Sequence, residues 1–218
     1  MQILHEDEYI LIINKPADLS VLPEGWDKSA PYLVQILEEQ FEKVWVVHRI
    51  DKVTSGIIVF GLTAEAHRSL NIQFEKHEVD KKYHALINGV PKWNEKVTKF
   101  PLRVNVGHKH RTMVDDRRGV RSETRFRLLE RWQASAFVEA LPMTGRTHQI
   151  RVHAYALGHP LMGDVLYSAP ETNVIARPAL HAYSLAFTHP GTDKRMTFQA
   201  DYPSDFRAVS STHYIYQR

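Results

Sequence analysis

The sequence predicts an α+β fold built on a mixed, largely antiparallel sheet. Two observations support this: the chain has many short apolar runs of strand character, and three segments have the 3.6-residue periodicity of a helix. The predicted strands are concentrated in the second half, with few helices between them. With 218 residues, 43% of them hydrophobic and 24% charged, the chain can bury a core of its own.

The first half alternates predicted strands with helices. The β-rich run Tyr9–Asn14 stops at a Lys-Pro pair and predicts a strand. Val44–Val47 predicts a short strand, and Gly56–Leu62 predicts one buried on both faces. Pro31 occupies the first position of a helical pattern whose apolar residues share one face. Thr63 is a typical N-cap and predicts a helix to about residue 76.

The second half is mostly β, with one clear helix. Thr147–Leu157 has an apolar stripe at helical spacing, and Gly158 suits its C-terminal cap. The predicted strands of this half are Lys82–Asn88, Thr124–Arg131, Phe137–Leu141, Ala182–Phe187 and Arg195–Gln199.

Composition excludes several classes of protein. The absence of cysteine excludes disulfides, thiolate metal sites and a cysteine nucleophile. No apolar run approaches the roughly 18 residues of a membrane span. The N-terminus turns acidic where a signal peptide would be apolar, so we expect a cytoplasmic protein without a membrane partner. Although there are 13 histidines, HExxH is absent, and His148 and His153 would lie about 140° apart on a helix. We therefore expect no metal site.

The positive charge is local. The net charge is only +3, but Arg103–Arg131 contains nine basic and four acidic residues, a difference of +5. The remainder of the chain therefore sums to −2. Such a stretch is either a nucleic-acid contact or a solvated basic face, and charge alone leaves both open.

The segment His48–Gly56 places polar residues between two predicted strands. Asp51, flanked by Arg49 and Lys52, should stay ionised at neutral pH. A positioned carboxylate can act as a nucleophile toward an anomeric carbon. The alternative is a salt-bridged turn that orders the loop.

A second candidate segment is Gly145–His153. It places Arg146 just before the predicted helix and Arg151 within it, an arrangement that can bind phosphate or carboxylate. The alternative is an exposed basic helix start. Tyr83, on an alternating strand, would by itself be interpreted as a half-buried packing residue.

Taken together and in order, these segments resemble the RluA family of RNA pseudouridine synthases over roughly residues 6–203. The His48–Gly56 segment has every defining position of the family's HRxDxxTSG pattern. The other matching segments are Asn14–Pro16 with Leu19–Val21, Lys82–Gly89, Gly145–His153 with Gly158–Asp164, and Pro178–Ala182 with Leu185 and His189-Pro190.

The resemblance implies the pseudouridine synthase fold, with a central cleft, and a cofactor-free isomerisation. The N1–C1′ bond of a uridine breaks, the uracil turns, and C5 joins C1′. Asp51 would attack C1′ or assist a glycal route. Arg151 would pair with Asp51. Tyr83 would stack on the uracil; removal of the C5 proton is its alternative role, but a phenol is a poor base at neutral pH unless it is assisted. Arg49 would fill the space left by the flipped-out uridine.

The resemblance also implies a substrate site and an RNA partner. We expect structured RNA, an rRNA or tRNA stem-loop, to bind a monomer that needs no metal. The expected substrate-binding residues are Arg49, His48, Thr54, Arg146, His148, Leu180 and His181. The expected RNA contacts, on a hairpin within Arg103–Arg131, are Lys109, Arg111, Arg117, Arg118 and Arg121.

We expect one catalytic domain over residues 1–218, with residues 204–218 as a tail and no S4-like domain ahead. Two other functions remain as alternatives. A glycosidic-bond hydrolase would normally need a second spaced carboxylate, which no motif supplies. A catalytically inactive RNA-binding or ribosome-assembly factor would have no need of Asp51, Tyr83 and Arg151.

Overall fold

The computed structural model describes residues 1–25, 27, 29–107 and 111–207. The chain divides into two compact units, one of Met1–Lys81 with Ala182–Asp201, the other of Lys82–His181 with the described residues 202–207. The predicted α+β class is confirmed, and the single domain over residues 1–218 stays a prediction. Lys109 and residues 208–218 of the predicted tail lie outside the described residues.

The structure contains the following elements among its described residues. The strands are β1 Gln2–Glu6, β2 Ile10–Lys15, β3 Trp45–Val46, β4 Ser55–Gly61, β5 Asp80–Asn88, β6 Glu95–Thr98, β7 Leu102–Val106, β8 Arg111–Val114, β9 Thr124–Arg131, β10 Ser135–Pro142, β11 Leu180–Thr188 and β12 Arg195–Gln199. The helices are α1 Leu33–Glu38, α2 Ala64–Glu75, α3 Gln149–Ala156 and a 3-10 turn Val165–Tyr167.

In the first unit, β2 and β4 lie at the centre of the strand order β1–β2–β4–β11. The β2–β4 and β1–β2 pairs are antiparallel, as are the additional pairs of β3 with β4 and β12 with β11. All seven residues of β4 are buried, which confirms the prediction of burial on both faces. Side chains of β2, β4 and α1, such as Ile13, Phe60 and Leu37, form one apolar cluster.

In the second unit, four strands pair in the order β5–β10–β9–β6, with antiparallel neighbours. Ile150 and Ala154 of α3 pack on this sheet together with Ala85, Phe126 and Val138. Beside the sheet, β7 and β8 form a separate two-stranded hairpin, which confirms the hairpin predicted within the basic stretch.

Two predicted helix starts are wrong. α1 has Tyr32 as its N-cap, so Pro31 precedes the helix rather than opening it. α3 begins at Gln149 and not at Thr147, because His148 has a left-handed backbone with φ of 55°. The 140° estimated between His148 and His153 on a helix therefore does not apply. The sequence analysis also missed β1 and β6, which lack the buried apolar run that reveals a strand.

The other predicted helix is confirmed in detail. The hydroxyl of Thr63 accepts a hydrogen bond from the Ala66 main-chain N–H at 3.1 Å, as an N-cap should. In the described part of the chain, no helix is long and apolar enough to cross a membrane.

Candidate active site

The loop that carries Asp51 is anchored by a buried lysine, Lys15, at the end of β2. Lys15 is fully buried. Its ammonium donates hydrogen bonds to the main-chain carbonyls of Pro16, Leu19 and Lys52, at 2.9, 2.8 and 3.1 Å. Because Lys52 directly follows Asp51, this ammonium holds the main chain beside the carboxylate. In the sequence, Lys15 stands out only as part of the Asn14–Pro16 motif. The signal for its buried role is a charged residue that directly continues an apolar strand.

Asp51 itself is half-buried and lies in a tight turn. The main-chain N–H of Thr54 donates to the Asp51 carbonyl oxygen at 3.0 Å. Lys52 extends outward, and its ammonium pairs with Glu24 at 3.1 Å. Arg49 is exposed. The turn thus leaves part of the Asp51 carboxylate accessible, as a nucleophile requires.

His48 has a role inside the first unit. Its ring stacks on Phe74, with centroids 4.6 Å apart, and Nε2 accepts a hydrogen bond from the Val59 N–H at 3.1 Å. Burial, helped by the nearby charge of Lys81, lowers the pKa of His48 to about 3. The ring is therefore neutral at physiological pH, and contact with a substrate stays a prediction.

Thr54 and Gly56, which follow Asp51 in the chain, are also tightly constrained. The Thr54 hydroxyl is buried and has no hydrogen-bond partner within the described ranges. Gly56 has φ of 113°, and a Cβ added there would lie 2.2 Å from the Ala182 carbonyl oxygen. Only glycine fits this position, because the main chain of β4 approaches that of β11 so closely.

Tyr83 lies on β5, opposite Ala140 of β10. It is half-buried and packs against the same apolar cluster that contains Leu180. The structure therefore brings two predicted site residues of the second unit to one cluster. Tyr83 keeps part of its surface accessible, as a residue that stacks on a base requires.

Arg151 is held by a buried carboxylate that the sequence analysis did not single out. Its Nε and Nη2 donate to the two carboxylate oxygens of Asp164, both at 2.7 Å. Arg151 is 4% exposed and Asp164 1%. Such a bidentate pair fixes the plane of the guanidinium. The expected pairing of Arg151 with Asp51, a residue of the first unit, stays a prediction.

The loop before α3 is fixed by the buried amide of Gln149. Its Oε1 accepts from the Thr144 hydroxyl at 2.6 Å and from the Arg146 N–H at 3.1 Å. Its Nε2 donates to the Glu123 carbonyl and the Thr124 hydroxyl, both at 2.9 Å. The Arg146 side chain projects from this ordered loop, is exposed, and has no ion-pair partner in the parts of the chain described here.

The other two predicted substrate residues of this unit, His148 and His181, contact aromatic side chains, and His148 is half-buried. His148 Nδ1 lies 2.9 Å from the Tyr167 hydroxyl. His181 is fully buried, edge-on to Tyr202 at 5.4 Å and beside Phe206 at 6.0 Å. His181 thus belongs to an aromatic core, and its contact with a substrate stays a prediction.

The hairpin and the turn that follows it carry exposed cations. The Asp115 carboxylate accepts hydrogen bonds from the main-chain N–H groups of Arg117 and Arg118, at 3.0 and 2.9 Å. These bonds order the turn that presents both side chains to solvent. Arg111, Arg117 and Arg118 make no ion pair among the residues described, and Arg121 is 3.9 Å from Glu123. Phosphate groups are the natural partners of such arginines.

Comparisons with known proteins agree with the motifs. The family model described as RNA pseudouridylate synthase matches residues 9–156. The dual-specificity RNA pseudouridine synthase RluA of Escherichia coli K12 is 36% identical, over 94% of this chain and 93% of that protein. Ribosomal large subunit pseudouridine synthase D of Zymomonas mobilis is 33% identical, over 96% of this chain and 71% of that protein.

Solved structures show the same fold. Human RNA Pseudouridylate Synthase Domain Containing 4 superposes with a TM-score of 0.78 at 25% identity, over 97% of this chain and 92% of that one. Human RNA Pseudouridylate Synthase Domain Containing 1 gives 0.77 at 27% identity, over 92% of this chain and 83% of that one. The chain therefore has the pseudouridine synthase fold and belongs to the RluA family of RNA pseudouridine synthases, which are isomerases.

Proposed function

We propose that the protein converts uridine to pseudouridine in a structured RNA, with Asp51 as the catalytic carboxylate. The observation that carries the proposal is the loop held by the buried Lys15 ammonium, which presents a partly accessible Asp51. The carboxylate attacks C1′ of the uridine or removes a sugar proton on a glycal route; either releases N1 from C1′. The uracil then turns and C5 bonds to C1′, as the carboxylate–C1′ bond breaks or, on the glycal route, as the sugar proton returns. C5 loses a proton and N1 gains one, so the product is an isomer of uridine with no net oxidation or reduction. The proposal includes no cofactor.

Tyr83 and Arg49 handle the base in this proposal. A uridine must leave its stack to reach a carboxylate, at a cost of a few kcal/mol. The half-buried Tyr83 ring offers a face on which the uracil can stack, backed by the apolar cluster. Arg49 is exposed, and its planar guanidinium can occupy the space that the base leaves in the RNA.

The basic hairpin and the turn after it bind the RNA backbone. Arg111, Arg117, Arg118 and Arg121 are exposed on one continuous stretch of chain. Arg146 adds a further exposed cation before α3. Apart from Arg121, which lies 3.9 Å from Glu123, these arginines have no carboxylate partner among the described residues, so they need not break an ion pair before they bind phosphate.

The substrate in this proposal is a stem-loop of large-subunit rRNA, a tRNA anticodon stem-loop, or both. One relative is named a dual-specificity RNA pseudouridine synthase and the other a synthase of the ribosomal large subunit. The second name supports a target in large-subunit rRNA, and the first supports more than one RNA target. The proposal includes that the protein acts as a monomer in the cytoplasm.

The test is release of tritium from RNA labelled at C5 of uridine. We expect the protein to release tritium from rRNA or tRNA of a strain lacking it, and Asp51→Asn to lose release while keeping RNA binding. The matched control is Asp193→Asn: Asp193 is exposed with φ of 55°, a conformation that Asn adopts readily, and should retain activity.

Three outcomes would contradict the proposal. The first is no tritium release from any rRNA or tRNA. The second is normal turnover by Asp51→Asn, which would remove the carboxylate from the chemistry. The third is free uracil among the products instead of RNA of unchanged mass, which would favour a hydrolase. If Asp51→Asn instead supports normal growth or ribosome assembly where deletion does not, an RNA-binding factor is the better description.

A further inference from the structure

A buried tyrosine of the second unit, Tyr167, lies where three segments of chain meet. It ends the 3-10 turn Val165–Tyr167 and is 3% exposed. Its ring packs with Leu102 of β7 and Val152 of α3. No motif argument singled it out. We propose that Tyr167 is a positioning residue that links the RNA-binding hairpin to His148 and Arg151, so that hairpin and site adopt one geometry. This rests on the proposed function for its consequence in catalysis.

The first link joins Tyr167 to the hairpin. The main-chain N–H of Thr112, in β8, donates to the Tyr167 hydroxyl oxygen at 3.0 Å. Thr112 is buried, whereas its neighbour Arg111 is exposed. Val114, two residues further along β8, packs against the cluster that contains Tyr167. Arg111, which would bind a phosphate, is therefore the direct neighbour of Thr112, the residue of β8 that hydrogen-bonds to Tyr167.

The second link joins the same hydroxyl to His148. The Tyr167 oxygen lies 2.9 Å from His148 Nδ1, and the rings meet edge to face at 5.7 Å. A phenol has one proton and can accept through its lone pairs. Since Thr112 N–H is a donor, the hydroxyl proton is available for Nδ1. A neutral His148 then carries its own proton on Nε2. Burial raises the pKa of Tyr167 to about 12, so the hydroxyl keeps its proton at any working pH.

The third link joins Tyr167 to Arg151. The Arg151 guanidinium carbon lies 5.1 Å from the centroid of the Tyr167 ring, within cation–π range. Asp164, which forms the bidentate pair with Arg151, is the N-cap of the same 3-10 turn, and its carbonyl accepts from the Tyr167 N–H at 3.0 Å. One short turn thus orients the guanidinium through Asp164 and the imidazole through Tyr167.

The consequence is a separation between binding and turnover. The exposed arginines bind RNA whether or not the hydroxyl of Tyr167 is present. The Tyr167 hydroxyl contributes to the orientation of His148, because it lies 2.9 Å from Nδ1 of a residue whose φ of 55° places it ahead of α3. Loss of the hydroxyl should therefore reduce kcat more than it raises KM.

The test uses the full chain with Tyr167→Phe, which keeps the ring and removes only the hydroxyl. The matched control is Tyr155→Phe: Tyr155 is exposed, its ring lies 6.2 Å from that of Tyr167, and its hydroxyl has no hydrogen bond in the described structure. With a tritiated stem-loop RNA we expect Tyr167→Phe to lower kcat roughly tenfold, as expected for one lost buried hydrogen bond. KM and the salt dependence of binding should stay near wild type, and Tyr155→Phe should match wild type throughout.

Nitrogen NMR of labelled histidine gives a readout that does not depend on activity. In the wild type, neutral His148 should show the Nε2–H form, and Tyr167→Phe should convert it to a mixture of the two neutral forms. If wild type shows no isomerase activity, the proposed function fails, while this spectrum still tests the link between Tyr167 and His148.

A double variant covers the case in which Tyr167→Phe lowers stability. If Tyr167 acts through His148, the double variant Tyr167→Phe/His148→Gln should have the same kcat as the single variant His148→Gln. Independent, multiplying losses would overturn the proposal. So would a Tyr167→Phe protein with wild-type kcat, or one whose His148 signals are unchanged.

Discussion

Asp164→Asn tests how strongly the buried pair with Arg151 stabilises the second unit. Asn has nearly the same shape as Asp and keeps one oxygen acceptor for the guanidinium. It removes the negative charge and replaces the second acceptor with an NH₂ donor that faces an N–H of Arg151. The change therefore leaves a buried cation without a counter-charge in this pair, with little change of volume.

The magnitude follows from the geometry. Both bonds of the pair are 2.7 Å long, and the two residues are 4% and 1% exposed, so water does not screen the charges. Removing one partner of a buried ion pair costs about 3–5 kcal/mol. Because one hydrogen bond survives in Asn, we expect about 3 kcal/mol. For a chain of this size that corresponds to a decrease in Tm of about 6–12 °C.

Urea unfolding followed by circular dichroism measures the effect. The matched control is Asp80→Asn, which removes the charge from the pair with Arg195, an exposed pair with side chains 71% and 42% accessible. Exposed pairs contribute about 0–1 kcal/mol, so Asp80→Asn should be nearly neutral. If Asp164→Asn destabilised the protein no more than Asp80→Asn, the burial argument would be refuted. Arg151→Met combined with Asp164→Asn should recover part of the loss, since no uncompensated charge remains.

Three further predictions concern the fold around the site. Gly56→Ala should prevent folding or lower the free energy of unfolding by more than about 3 kcal/mol, because its Cβ would lie 2.2 Å from the Ala182 carbonyl oxygen. The control is Gly158→Ala, with φ of 82° and open space around the new Cβ. It should lower the free energy of unfolding by about 1–2 kcal/mol in the same urea titration. Lys15→Met should cost about 3 kcal/mol and reduce tritium release, because three carbonyls lose a buried donor; full activity and stability would contradict the anchoring role. Burial, with some help from His181 and Lys82, lowers the pKa of His84 to about 4 in the fold, below its ordinary 6.5. The unfolded chain therefore binds more protons between these values, so the free energy of unfolding should fall as pH drops from about 6.5 to 4, by at most about 1.4 kcal/mol per pH unit from this group. His84→Gln should reduce that slope, leaving the part due to other buried histidines such as His48. An unchanged slope would exclude a contribution from His84.

Local pattern was sufficient for the elements with the clearest periodicity. The strands Thr124–Arg131 and Arg195–Gln199 have the bounds that alternation predicted, and α2 has the predicted Thr63 cap. The polar strand β6 was missed, and β7 and β8 were predicted only as a hairpin without strand bounds, because the stability of these strands comes from pairing and not from burial of an apolar run. The start of α3 depended on the backbone conformation of a single residue, His148, which no periodicity reveals.

The sequence alone identified the family and located the basic stretch. That Asp51 is the catalytic carboxylate is a prediction from its motif. Only the folded chain shows which groups hold the site. The Lys15 ammonium bonds to the carbonyl of Lys52, 37 residues away, and the Tyr167 hydroxyl bonds to the N–H of Thr112, 55 residues away. Asp164, the bidentate partner of Arg151, ends the family segment Gly158–Asp164, but the sequence does not show that it pairs with Arg151. The physical reason is that helix and strand patterns reflect neighbours along the chain, whereas a buried hydrogen bond depends on where two distant backbones come to lie.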